Sequence, residues 1–181
     1  MKTVADVLDF WFRPGHREKW FVNDADFDAA VAGALAAPDA LAQRGGLSAW
    51  RDGPEGCLAL CLLLDQVPRN LYRGRAEAFA CDQQARAVTR HALAQGHDRG
   101  LTQEQRLFLY MPLEHSEDLA DQEESCRLFA ELDENPGWHD YALRHHAIIA
   151  RFGRFPHRNA VLGRRTTAAE EVFLTEPGSS F

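Results

Sequence analysis

Residues 54–64 read PEGCLALCLLL, and this stretch decides the fold class. Proline suits a first helical position, and Cys57 to Leu64 is apolar on every side. A helix without a polar face has to be surrounded by other elements. We therefore predict a central buried helix that begins at Pro54 and is stopped by Pro68.

Outward from it the apolar pattern keeps a helical period. Val4, Val7, Leu8, Trp11 and Phe12 form a stripe up to Pro14, and Phe27, Val31, Ala34 and Leu35 form a second that ends near Pro38. Downstream, Asp82 is a predicted cap for a helix running to Gln95 and stopped by Gly96. Thr102 caps the next, up to Pro112, and Ser116 another, through about Leu132. Trp138–Phe152 is a further helix, and Thr167 with Glu170 makes a capping box for a short last one. No period-2 strand or Asn-Gly hairpin interrupts the series, so the prediction is an all-α single domain of about eight helices over residues 1–181.

With 181 residues, 45% hydrophobic and 26% charged, the chain has the size and composition to bury its own core. A net charge of −7 offers no overall basic footprint, which argues against nucleic acid or an anionic membrane as partner. Asp6 and Asp9 fall where a signal peptide needs its apolar core, and no later apolar run is long enough to span a bilayer, so a cytoplasmic protein is expected. The four cysteines, at 57, 61, 81 and 126, contain no CxxC pair and read as packing residues.

Polar chemistry concentrates in three places. Pro68-Arg69-Asn70 and Pro156-His157-Arg158-Asn159 echo each other, each followed by a glycine and a short Ala-Glu-Phe segment. In such a corner proline ends a helix, asparagine ties the turn, and arginine presents a planar fork able to grip a carboxylate or phosphate, or to cap open carbonyls. The third place is Glu114-His115-Ser116-Glu117. Between Asp140 and Glu170 there is no acidic residue, yet Arg144, Arg151, Arg154, Arg158, Arg164 and Arg165 fall there. That segment needs anions, from the protein itself or from a ligand. On the helix from Ser116, Asp118 and Gln122 fall along the apolar stripe, and His145 sits on the core side of the next helix. Buried histidines are either satisfied core residues or acid–base groups.

Neither a pair of Glu-x-x-His motifs nor a His-Glu-x-x-His motif is present, and Glu114, His115, Glu117 and Asp118 amount to half a metal site at most, so no metal is expected. Nucleotide, dinucleotide and serine-hydrolase loops are missing too, which removes those common readings and leaves any cofactor unknown.

Residues 7–12 (VLDFWF), 62–74 (LLLDQVPRNLYRG), 110–119 (YMPLEHSEDL) and 151–159 (RFGRFPHRN) together resemble a bacterial family catalogued as domain of unknown function 924. The resemblance implies an all-α fold of the tetratricopeptide-like class, built of antiparallel helix pairs, and supplies no reaction. The motif positions it carries over are Asp65, Gln66, Pro68, Arg69, Asn70, Tyr72, Arg73, Glu114, His115, Ser116, Glu117, Gln122, His145, Arg151, Arg154, His157, Arg158 and Asn159.

Three functional readings follow. In the first, a small anionic molecule is bound by Arg69, Arg73, Arg154 and Arg158 together with Asp65, Asn70, Glu114, Arg151, His157 and Asn159, while His115, Glu117 and His145 are available for proton transfer. In the second the fold serves as a protein-interaction module, and in the third the polar motifs only specify how helix ends pack. All three share one geometric expectation, because buried guanidinium groups need acceptors. The two Pro-Arg-Asn corners and the 114–117 turn should meet in space, with Asp65, Glu114 and Glu117 as the acceptors.

Overall fold

The computed structural model describes residues 2–180, and among these the secondary structure is entirely helical. The central helix begins at Pro54 as expected, but it does not stop at Pro68. Segment α3 (Pro54–Cys61) runs into a π-helical turn (Leu62–Gln66) and on into α4 (Val67–Leu71), so that Pro68 lies inside one continuous rod. The π turn explains how. The Val67 amide reaches back five residues to the Leu62 carbonyl, and the widened turn just ahead of Pro68 relieves the ring's clash with the backbone. Cys57, Leu58, Cys61, Leu62 and Leu63 are fully buried, as a helix without a polar face requires.

Around this rod pack α1 (Val4–Trp11), α5 (Asp82–Gln95) and α6 (Gln103–Glu114), while α2 (Ala25–Gln43) lies against α4. Helix α7 (Leu119–Phe129) packs on α6, and α8 (Pro136–Phe152) on both α7 and α6. The short α9 (Ala168–Leu174) closes on the 3-10 turn Pro156–Arg158. With α3 and α4 counted as one rod, these make eight helical bodies among the described residues. Gly56 is required where α3 starts, because a Cβ there would lie 1.9 Å from the Trp50 carbonyl oxygen.

Pro38 and Pro112 also lie within helices, α2 and α6, where the sequence suggested ends. Both prolines are buried, and Asp39 and Ala42 beyond the first and Leu113 beyond the second are buried too. Packing on both sides of each ring carries the helix past a missing amide that would break an isolated one. The main core is continuous from α1 to α8, and a smaller one joins Ile148, Ile149, Phe155 and Phe173. Gly153, with φ +68°, ends α8 and turns the chain back so that residues 154–159 return to the main body. Polar side chains fill the place where that return strand meets the ends of α4 and α6.

Candidate functional site

The π turn sets the first half of the cluster. It carries Asp65, whose carboxylate is 1% exposed, and the next helical turn carries Arg69. Arg69 Nη1 donates to the Asp65 backbone carbonyl at 2.6 Å and lies 3.1 Å from its carboxylate. Gln66 Nε2 donates to the same carboxylate at 2.6 Å. Burial alone would push the Asp65 pKa up, but the Arg69 charge and the bond from His115 hold it below the ordinary carboxylate range.

Across this pair, Asp82 at the start of α5 accepts from Arg69 in a fork, at 3.0 and 3.1 Å, and stands 3.4 Å from Arg158 Nη1. Asp82 was expected as a helix cap. Instead Cys81 holds the cap position without a side-chain bond, and the carboxylate goes to the two arginines. Arg158, 6% exposed, is sandwiched between the rings of Phe79 and Phe155, 4.6 and 4.5 Å from its guanidinium carbon. Its Nη1 also donates to the His115 carbonyl at 3.1 Å, whereas its buried Nε has no hydrogen-bond partner. Burial, reinforced by the neighbouring Arg69 charge, brings the Arg158 pKa down to about 10.

The end of α6 supplies Glu114 and His115. His115 Nδ1 lies 2.9 Å from both Asp65 carboxylate oxygens, and since Asp65 is ionised the nitrogen is the donor. Burial lowers the His115 pKa despite this partner, so the ring is neutral, with Nε2 as its acceptor atom. His145 on α8 is arranged in the same way, its Nδ1 donating to the Tyr141 carbonyl at 2.9 Å. Burial and the nearby His115 bring the His145 pKa down to about 3. Glu114, 4% exposed, has an Oε1 without a hydrogen-bond partner, 3.6 Å from His145 Nδ1. Burial and the Asp65 charge push its pKa up to about 8.

Glu117 is tied differently. Arg164 grips it in a fork at 2.7 and 3.0 Å, and the Phe155 amide donates to it at 2.8 Å. Burial works to raise its pKa, yet these donors hold it below the ordinary value. An ionised, doubly anchored carboxylate suits holding the 154–159 return strand, not the proton transfer expected of it. Asn159, fully buried, accepts from Arg164 Nε at 3.0 Å and stiffens the same corner. Ser116 is not the α7 cap, a role that falls to the exposed Asp118; Ser116 Oγ donates to Asp121 instead. Gln122 points inward as expected, donating to the carbonyls of Glu114 and Ser116.

The structure thus brings together Asp65, Arg69, Glu114, His115, His145 and Arg158, with Glu117, His157 and Asn159 on the corner beside them. It separates the rest. Asn70 and Arg73 both bond Asp28 on α2, Arg154 grips Glu170 on α9, and Arg151 lies exposed over the rings of Phe152 and Phe173. Sequence reasoning missed Asp82, Phe79 and Arg164. The one available signal was the unpaired run of arginines before Glu170, which required carboxylates from elsewhere. Two surface hollows, one beside Leu8, Phe12 and Glu55 and one beside Arg144, Ile148 and Phe173, include none of the cluster residues in their linings.

The model of a family described as bacterial protein of unknown function (DUF924) matches residues 7–178. A solved structure of a protein of unknown function from Agrobacterium tumefaciens is similar over 95% of this chain and 96% of its own, with 41% identity and a TM-score of 0.91. No curated protein matches the chain. A match over nearly the full length means that the chain belongs to this DUF924 family.

Proposed function

We propose that the protein binds a small anionic molecule at this cluster, with Arg158 gripping its acidic group and His115 as the nearest group able to move a proton. The supporting observation is the incomplete bonding of Arg158. A guanidinium buried against two phenyl rings is costly unless its donors are satisfied, yet its Nε has no partner and its one ion pair among the described residues, with Asp82, stands at 3.4 Å. Arg69, Asp82 and His115 keep 19%, 17% and 14% of their side chains exposed, which leaves an approach from solvent. The other expected arginines, Arg73 and Arg154, are occupied by protein carboxylates and have no part in this reading.

A thermal-shift panel of small carboxylic acids and phosphate esters tests it, with Arg158→Lys as the comparison, since lysine keeps the charge and loses the fork. At least one acid should raise the Tm of the wild type, and Arg158→Lys should need at least tenfold more of it. A panel that leaves the wild-type Tm unmoved, or a folded Arg158→Lys that responds equally, sinks the reading.

A second reading, a purely structural polar core, is favoured by the forked pairing of Arg69, Arg73, Arg154 and Arg164 with carboxylates. On that reading Arg158→Ala destabilises the fold, because Asp82 and the His115 carbonyl lose a donor, and alters nothing else.

A further inference from the structure

Beside His115 lie two buried side chains that the anion reading does not use, Glu114 and His145, and with a metal bound His115 would serve as a ligand and not as the proton-moving group. We propose that Glu114, His115 and His145 hold a divalent first-row transition-metal ion. One ligand atom from each lies within 4.8 Å of the others. Ligands about 2.1 Å from a tetrahedral ion stand roughly 3.4 Å apart, so no pair has to close in by more than roughly 1.4 Å on binding.

The second layer supports the same assignment. Histidines that bind metal through one ring nitrogen typically donate the other N–H to a carboxylate or a backbone carbonyl, which fixes the tautomer and aims the ring. Both arrangements occur here, Asp65 on His115 Nδ1 and the Tyr141 carbonyl on His145 Nδ1. For His115 this leaves Nε2 as the acceptor atom. Glu114 supplies the observation that points most directly to a cation, because its Oε1 is buried with no hydrogen-bond donor. A carboxyl oxygen sealed from water with no donor is an open ligand position, and a cation that displaces the carboxyl proton would fill it. Two imidazoles and one carboxylate form a donor set for zinc or iron(II) with coordination positions left over. Magnesium and calcium, which prefer all-oxygen sites, do not fit.

The sequence shows only half of this site, since Glu114 and His115 are adjacent on α6 while His145 comes from α8. A rival group, Cys57 with His91 and His97, is weaker. There both Cys57 Sγ and His91 Nε2 are directed at the Arg51 carbonyl, at 3.4 and 3.1 Å.

Cobalt(II) is the probe, because its visible bands report coordination by protein ligands. The full chain, freed of metal with a chelator and dialysed, is titrated with cobalt(II) alone, with no acidic ligand added. The wild type and Cys57→Ser should each take up one equivalent with a ligand-field spectrum, and zinc should displace it. Glu114→Gln and His145→Gln should bind at least tenfold more weakly while keeping wild-type circular dichroism. No stoichiometric uptake by the wild type overturns the proposal, as does a Glu114→Gln protein that binds normally or loss of binding in Cys57→Ser. If His145→Gln does not fold, a crystal of the wild type grown with cobalt decides, by an anomalous peak between the three side chains or by its absence there.

Discussion

Arg69 and Arg158 close on one carboxylate, that of Asp82, from 13 residues before it and 76 after it, at 3.0 and 3.4 Å. Two guanidinium groups therefore share one largely buried acceptor, and the α4 end, the α5 start and the 154–159 return strand are joined there. Asp82→Asn keeps the shape and removes the charge. It should cost about 3 kcal/mol, because two buried cations lose their common partner. Urea denaturation measures this, and a loss below about 1 kcal/mol would show that the shared contact is incidental.

Glu117 holds the same strand from the other side through Arg164 and the Phe155 amide. A double-mutant cycle on Glu117→Ala and Arg164→Ala should give a coupling of about 1–3 kcal/mol, as expected for a half-buried forked pair. Glu117→Ala should also free Phe155 to move off Arg158, which a changed aromatic NMR environment at Phe155 would report. Additive single effects would remove Glu117 as the anchor.

Asp65 sets the proton position on His115. In the wild type, nitrogen NMR at neutral pH should find the hydrogen on Nδ1, and in Asp65→Asn a mixture of tautomers, because a neutral amide holds that N–H less strongly than a carboxylate. A wild-type His115 already protonated on Nε2 would contradict both the positioning role and the metal assignment.

The α9 attachment should depend on acid. The Arg154 fork and the Thr167 amide bring the Glu170 pKa down to about 2 from its ordinary 4.5. A depressed carboxylate contributes stability that is present above pH 4.5 and is lost as pH falls toward 2. Amide exchange over Ala168–Leu174 should therefore quicken through that window ahead of the central rod, and Glu170→Gln should show fast exchange already at neutral pH. Exchange of α9 that stays in step with α3 across the range would reject this.

Local pattern was enough to determine that this chain is all-α. The four-sided apolar run at Cys57–Leu64 demanded a buried rod, the Thr102 cap and the Thr167 box marked helix starts, and Gly96 marked an end, each through bonds that close within a few residues. The inward face of His145 was legible for the same reason, since helical period alone places it. Tertiary structure decided everything that depends on a partner distant in the chain. Pro38, Pro68 and Pro112 stay within helices because packing outweighs one lost amide bond each, a balance that propensity cannot show. Asp82 serves two arginines instead of a helix end, and Arg73 and Arg154 are drawn off to Asp28 and Glu170, because each guanidinium pairs with the carboxylate that packing brings nearest. Only the packing of α8 against α6 places His145 beside Glu114 and completes the group that the sequence left half-built.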